Sequence, residues 1–208
     1  MISHKHRCIF IHIPRTGGTS IEVWLTGKNW ADAHPELQHP TASQARELYA
    51  DYWDDYFKFS FVRHPVARAL SCLVMGEGYG LHRDGDTIDF TGYHERFGRD
   101  IVTEYDYRFF GKPEHGSAPQ PHTVYGNMLD LPLDFIGRTE DIAKHTGLIQ
   151  QILGVEQPFD AETRHVASRV PQDWNLSDAT FDHIESIYRA DYDRFFYNRR
   201  KQTPWIPS

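Results

Sequence analysis

Residues Ile9-Phe10-Ile11-His12-Ile13-Pro14-Arg15-Thr16-Gly17-Gly18-Thr19-Ser20 leave the chain few ways to fold. Ile9, Phe10, Ile11 and Ile13 make an almost unbroken apolar run of β-formers, the pattern of a parallel strand covered on both faces. Pro14 stops the ladder because it has no N–H to give. The paired glycines then let the backbone bend so that successive N–H groups converge. Thr19 and Ser20 open a helix with Ile21, Trp24 and Leu25 on one face and Gly27 at its end. A helix start beside a cation and two hydroxyls is an anion site, suited to a phosphate or a sulfate. The spacing argues against a nucleoside triphosphate. The Walker pattern sets a Lys directly before a metal-binding hydroxyl, whereas here the cation, Arg15, precedes the glycines and no Lys follows them.

A second segment has the same strand-turn-helix logic. Phe57-Lys58-Phe59-Ser60-Phe61-Val62 alternates and is strongly aromatic, then gives way to Arg63-His64-Pro65 and an apolar helix through Ala67, Leu70 and Leu73. Arg63 therefore stands at the carboxyl end of a strand, where open α/β sheets bind ligands. Ser71 follows eight residues later, about two helical turns on. Between the two segments, Thr41-x-x-Gln44 reads as a capping box, with Ala45, Leu48, Tyr49 and Tyr52 as the stripe behind it and His39 held just ahead. Further along, Leu133 to Ile142 predicts a short strand ending at Gly137 and a helix N-capped by Thr139, with Glu140 and Asp141 on its positive end. Phe181, Ile184, Tyr188 and Tyr192 then recur at helical spacing after Ser177.

In this order these segments resemble the sulfotransferases that use 3′-phosphoadenosine 5′-phosphosulfate (PAPS). The similarity is to the family 2 branch that includes Golgi-type carbohydrate O-sulfotransferases, here as a bacterial-type member without their N-terminal anchor. The first loop is similar to the family's Pro-Lys-Thr-Gly-Gly-Thr-Ser, and Asp134-Phe135-Ile136-Gly137 to a later family landmark. Likeness of pattern runs from about residue 8 to residue 198 and is loose in the middle third.

The resemblance implies an α/β fold of the P-loop-NTPase-like kind, a three-layer sandwich with a central parallel sheet, in one domain over residues 1–208. It implies that Arg15, Thr16, Gly17, Gly18, Thr19 and Ser20 hold the 5′-phosphosulfate and that Arg63 and Ser71 grip the 3′-phosphate. A similar His-x-Thr-Ala stretch in the family marks His39 as the general base that takes the acceptor's hydroxyl proton, with His34 in reserve. A base of this kind contributes roughly a hundred- to ten-thousand-fold. Arg15 would stabilise charge growing on the leaving bisphosphate, and no metal is required. Most relatives have Lys at that position. Arg stays charged, so it cannot protonate the leaving group. His64 also stands where an Asp or Asn is common.

Other classes fit less well. A nucleotide-dependent kinase would need the absent Walker Lys; a non-catalytic binder of nucleotide or glycan is the other alternative. The 208 residues carry a net charge of −7 and no long Lys/Arg run, which argues against nucleic-acid binding. No apolar run is long enough to span a membrane, and Met1 to Arg7 has no signal-peptide core, so a cytoplasmic protein is expected. Cys8 and Cys72 are expected to be buried thiols rather than a disulfide. Residues 76–131, broken by glycines from Gly76 to Gly116, are by family analogy the insertion that builds the acceptor pocket for a small-molecule or glycan hydroxyl. Asp84, Asp86 and Asp89 in that stretch lack the spacing of a calcium loop and read as a solvated loop.

Overall fold

The computed structural model describes residues 1–75, 83–84, 87–88, 123–160 and 175–197. The expected acceptor insertion therefore lies mostly outside the described residues, as do Asp86 and Asp89. The chain divides into two compact units, one of Met1–Arg63 with Asn127–Val166 and one of His64–Gly126 with Ala167–Ser208.

The first unit is built on a four-stranded sheet in the order β1 (Ile2–Ser3), β2 (Cys8–Ile11), β3 (Phe57–Val62), β6 (Phe135–Arg138). β2, β3 and β6 run parallel, with Ile11 opposite Ser60 and Val62 opposite Arg138. The expected central parallel sheet holds for these three strands, but the sheet is mixed, because at one edge β1 runs antiparallel to β2. Only His4 to Arg7 joins these two strands, with Arg7 in the left-handed region (φ 49°). A connection that short closes a hairpin and leaves no chain for the crossover that a parallel pair needs.

Cys8, Phe10, Phe59 and Phe61 share one sheet face and pack with Ile21, Leu25 and Ile149. Ile9 and Ile11, on the other face, are equally buried. Burial on both faces is why the strand reads as a continuous apolar run.

Within this unit helices follow β2 and β6. α1 (Gly18–Thr26) ends at Gly27 in the left-handed region, as expected. α2 (Trp30–Ala33) is capped by the Asn29 side chain. α3 (Ala42–Leu48) has the full capping box, with Thr41 and Gln44 exchanging side-chain and backbone hydrogen bonds. The stripe predicted behind it holds only in part: Ala45 and Tyr49 are buried, whereas Leu48 and Tyr52 are exposed. The chain breaks at Tyr49 into the short α4 (Ala50–Trp53), which turns later residues off the buried face.

The predicted cap at Thr139 is also corrected. Thr139–Asp141 form a 3₁₀ turn, and the α-helix, labelled α7 here (Ile142–Leu153), starts after Asp141.

In the second unit, β4 (Arg83–Asp84), β5 (Thr87–Ile88) and β7 (Asn175–Leu176) form a small sheet. With it go α5 (Pro65–Met75), α6 (Val124–Met128, which reaches the boundary between the units), α8 (Asp178–Ile187) and α9 (Arg189–Arg194). Ser177 caps α8, and Ile184, Tyr188 and Tyr192 are buried as the helical spacing requires. The buried carboxylate of Asp191 accepts from the backbone of Val124 and Tyr125 and from the Thr123 hydroxyl, which anchors the start of α6.

Candidate functional site

The three parallel strands of the first unit end at one edge, and each end leads into a polar segment. β2 leads through Pro14 into the glycine loop, β3 into Arg63, and β6 closes with Arg138 before Thr139. The loop has an unusual backbone. Arg15 has φ 70°, a left-handed conformation that costs a side-chain-bearing residue about 1–2 kcal/mol. Strain of this kind clusters at ligand sites. Gly17, the N-cap of α1, has φ 81° and ψ 11°. A left-handed residue feeding a helix turns the next N–H groups inward, as in an anion-binding nest. No side chain caps this helix start.

The loop is braced from below. Thr16 is fully buried and its hydroxyl donates to the Ile13 carbonyl (2.9 Å). The Thr16 carbonyl in turn accepts from the Thr139 hydroxyl (2.8 Å), which also reaches the Val62 carbonyl (3.1 Å). The Arg63 guanidinium donates to the Arg15 carbonyl at 3.4 Å. Three strand ends are thus tied to one loop, and Arg15 and Arg63 follow strands that end at the same edge.

His39 joins this group. Its Nδ1 lies 2.8 Å from the carbonyl oxygen of His12, the residue that follows β2 just before the loop. A carbonyl only accepts, so the proton sits on Nδ1 and the lone pair of the neutral ring is on Nε2. The ring meets that of His12 edge-on, with centroids 4.5 Å apart. His34, the reserve candidate, is exposed and closes α2, where its ring lies 4.8 Å from that of Trp30. Ser71 belongs to the second unit, buried on α5. His64 belongs there too, edge-on to Tyr192 and Tyr197.

Sequence reasoning gave no role in the site to four residues. Arg138 ends β6 as Arg63 follows β3, and Thr139 fastens the loop instead of capping a helix. His12 and Glu22 make a buried pair, Nδ1 to Oε1 at 2.7 Å, under the glycines. A polar residue within the buried apolar run Ile9–Ile13 was the signal for His12. Next to Ser20, a cavity of about 260 Å³ is lined by Val23, Trp24, Gln157, Pro158 and Phe159. Its Trp24 is pinned through Nε1 to the Gln157 carbonyl (2.7 Å) and meets Phe159 edge-on at 5.5 Å.

Among the described residues no group of His, Cys, Asp and Glu is placed to hold a metal ion, and no helix is long and apolar enough to cross a membrane. Residues 1–198 match the model of the sulfotransferase family. Among curated proteins and among solved structures no match was found.

Proposed function

The chain belongs to the sulfotransferase family, and on that premise we propose that it moves a sulfuryl group from PAPS to a hydroxyl acceptor, carbohydrates being one candidate class. The observation that carries this reading is the glycine loop: an uncapped helix start behind a left-handed Gly17, with Arg15 and Arg63 on the same strand edge. The donor set suits a doubly anionic group. Backbone N–H groups at a helix N-terminus and guanidinium forks both prefer phosphate and sulfate oxygens. The family match runs through both units, which supports one sulfotransferase domain of the P-loop-like kind over residues 1–208.

In this reading Gly17, Gly18 and Thr19 present N–H groups, and Thr19 and Ser20 their hydroxyls, to the 5′-phosphosulfate, the Ser20 N–H being bonded to the Gly17 carbonyl (3.2 Å). Thr16 contributes through its backbone, because its hydroxyl proton is committed to Ile13. Arg63 and Ser71 are assigned to the 3′-phosphate by the family pattern. The adenine end is assigned to the cavity beside Ser20, where Trp24 and Phe159 supply aromatic surface.

PAPS supplies an activated sulfuryl group with adenosine bisphosphate as its leaving group. His39 takes the acceptor's proton on Nε2, the position that its bond to His12 leaves basic. Arg15 stabilises charge on the departing bridge oxygen without giving up a proton. A sulfuryl group carries less charge than a phosphoryl group, so the proposed reaction uses no metal. A cytoplasmic location is proposed, in keeping with Cys8 and Cys72 lying buried as the expected thiols.

The test is transfer of label from radiolabelled PAPS to a panel of hydroxyl acceptors that includes sugars. The wild type transfers label, and His39→Ala loses transfer while still binding adenosine 3′,5′-bisphosphate. Full transfer by His39→Ala removes His39 from the mechanism. Binding without transfer by the wild type, across a broad panel, favours a non-catalytic binder.

A further inference from the structure

We infer that His12 and Glu22 form a positioning pair that sets both the path of the glycine loop and the proton state of His39. The inference deepens the donor reading above and rests on it.

Glu22 is fully buried on α1, and each of its oxygens meets a donor. Oε1 lies 2.7 Å from His12 Nδ1, and Oε2 accepts from the backbone N–H of Trp30 at 3.1 Å. A carboxylate that accepts at both oxygens puts the His12 proton on Nδ1 and locks the ring plane. The locked ring then does two things. Its Nε2–Cδ2 edge lies directly against Gly18: a Cβ there would come within 2.2 Å of Nε2 and 2.0 Å of Cδ2. The first turn of α1 therefore rests on the imidazole, and its N–H groups take their height from it. The face of the same ring receives the edge of His39, while the His12 carbonyl takes the His39 Nδ1 proton. One residue thus supports the anion loop with its side chain and orients the base with its ring and backbone. Groups held this way lose function on small displacements.

Neither residue touches a reacting atom in this account. A pair that merely filled the core would affect stability alone. Glu22→Gln separates the two cases with little change of shape. To keep accepting from Trp30, the amide must turn its oxygen toward that N–H and its NH₂ toward His12. His12 Nδ1 then has to accept, and its proton moves to Nε2, against Gly18.

The experiment is ¹⁵N NMR of the imidazole nitrogens in the full chain, with and without Glu22→Gln, together with calorimetry of adenosine 3′,5′-bisphosphate. In the wild type His12 and His39 both carry the proton on Nδ1. In Glu22→Gln His12 shifts to the Nε2–H form, His39 becomes a mixture of tautomers, and bisphosphate affinity falls about tenfold. His12→Asn, which keeps an N–H for Glu22 but no ring under Gly18, weakens bisphosphate binding similarly and serves if the first variant does not fold. Unchanged His39 tautomer and unchanged affinity in the folded variants overturn the inference. A wild type that binds no bisphosphate overturns the donor reading instead, and the tautomer readout then decides the positioning claim alone.

Discussion

The hydroxyl of Thr139 lies 2.8 Å from the carbonyl oxygen of Thr16, across 123 residues of sequence, and the same hydroxyl reaches the carbonyl of Val62 at 3.1 Å. One short side chain therefore ties the end of β6 to the end of β3 and to the glycine loop. Thr139→Val keeps the shape and removes the donor. It should cost about 1–3 kcal/mol in urea unfolding and weaken bisphosphate binding. Wild-type values on both counts would show that the loop stands without this tie.

Gly18 is required by contact rather than by its own dihedral angles. A Cβ would sit 2.0–2.6 Å from atoms of the buried His12 ring, which Glu22 holds in place. Gly18→Ala should displace the ring or the first turn of α1 and abolish measurable bisphosphate binding. Gly147→Ala is the contrast. Inside α7 a Cβ meets nothing within 4 Å, so the change should stabilise the protein by about 0.5–1 kcal/mol and leave binding intact. Thermal unfolding and calorimetry on the two variants read both outcomes.

Burial pushes the Cys8 thiol up to about 12, partly offset by the nearby N-terminal amine. At pH 8 a thiol of that pKa is ionised to roughly one part in ten thousand. Cys8 is fully buried and Cys72 nearly so. Native protein should leave both unmodified by iodoacetamide at pH 8, with two equivalents taken up after unfolding in guanidinium. Rapid native labelling of Cys8 would contradict its place in the sheet.

Burial also raises the carboxyl of Asp191, against the opposing pull of its bonds from Thr123, Val124 and Tyr125 and the charge of Arg68. The native state thus keeps this proton at a pH where the unfolded chain, near the ordinary value of about 3.9, has lost it. Its contribution to stability falls as pH rises from that ordinary value through the raised one. Asp191→Asn removes the titration. The stability of the wild type relative to the variant should therefore decline with rising pH over that window in denaturant titrations. Parallel curves would contradict the assignment.

The parts of this fold that sequence made legible are those with local causes. The β2 run, the Gly27 stop and the Thr41–Gln44 box each rest on a few adjacent residues, and each is found where expected. β1 was missed because two residues, Ile2 and Ser3, are too short to show a period. Thr139 was given the local role of a cap, since a sequence does not reveal that its partners are Thr16 and Val62. The pairing of His12 with Glu22 was hidden similarly. His12 interrupts the apolar run only once, and Glu22 sits on the buried face of α1 beside Ile21, where an acid makes sense only with a buried partner. Arg63 and the loop, by contrast, were found as separate motifs. Their direct bond at the Arg15 carbonyl emerged only from the parallel pairing of β2 with β3.

The most direct test of the account is calorimetric binding of adenosine 3′,5′-bisphosphate, with adenosine 5′-phosphate and Mg·ATP as controls and Arg63→Ala alongside. The account predicts metal-independent binding that needs the 3′-phosphate and falls at least tenfold in Arg63→Ala, as loss of a bidentate contact to a charged group implies. No binding, or a preference for Mg·ATP, would contradict it and return the glycine loop to a general phosphate site.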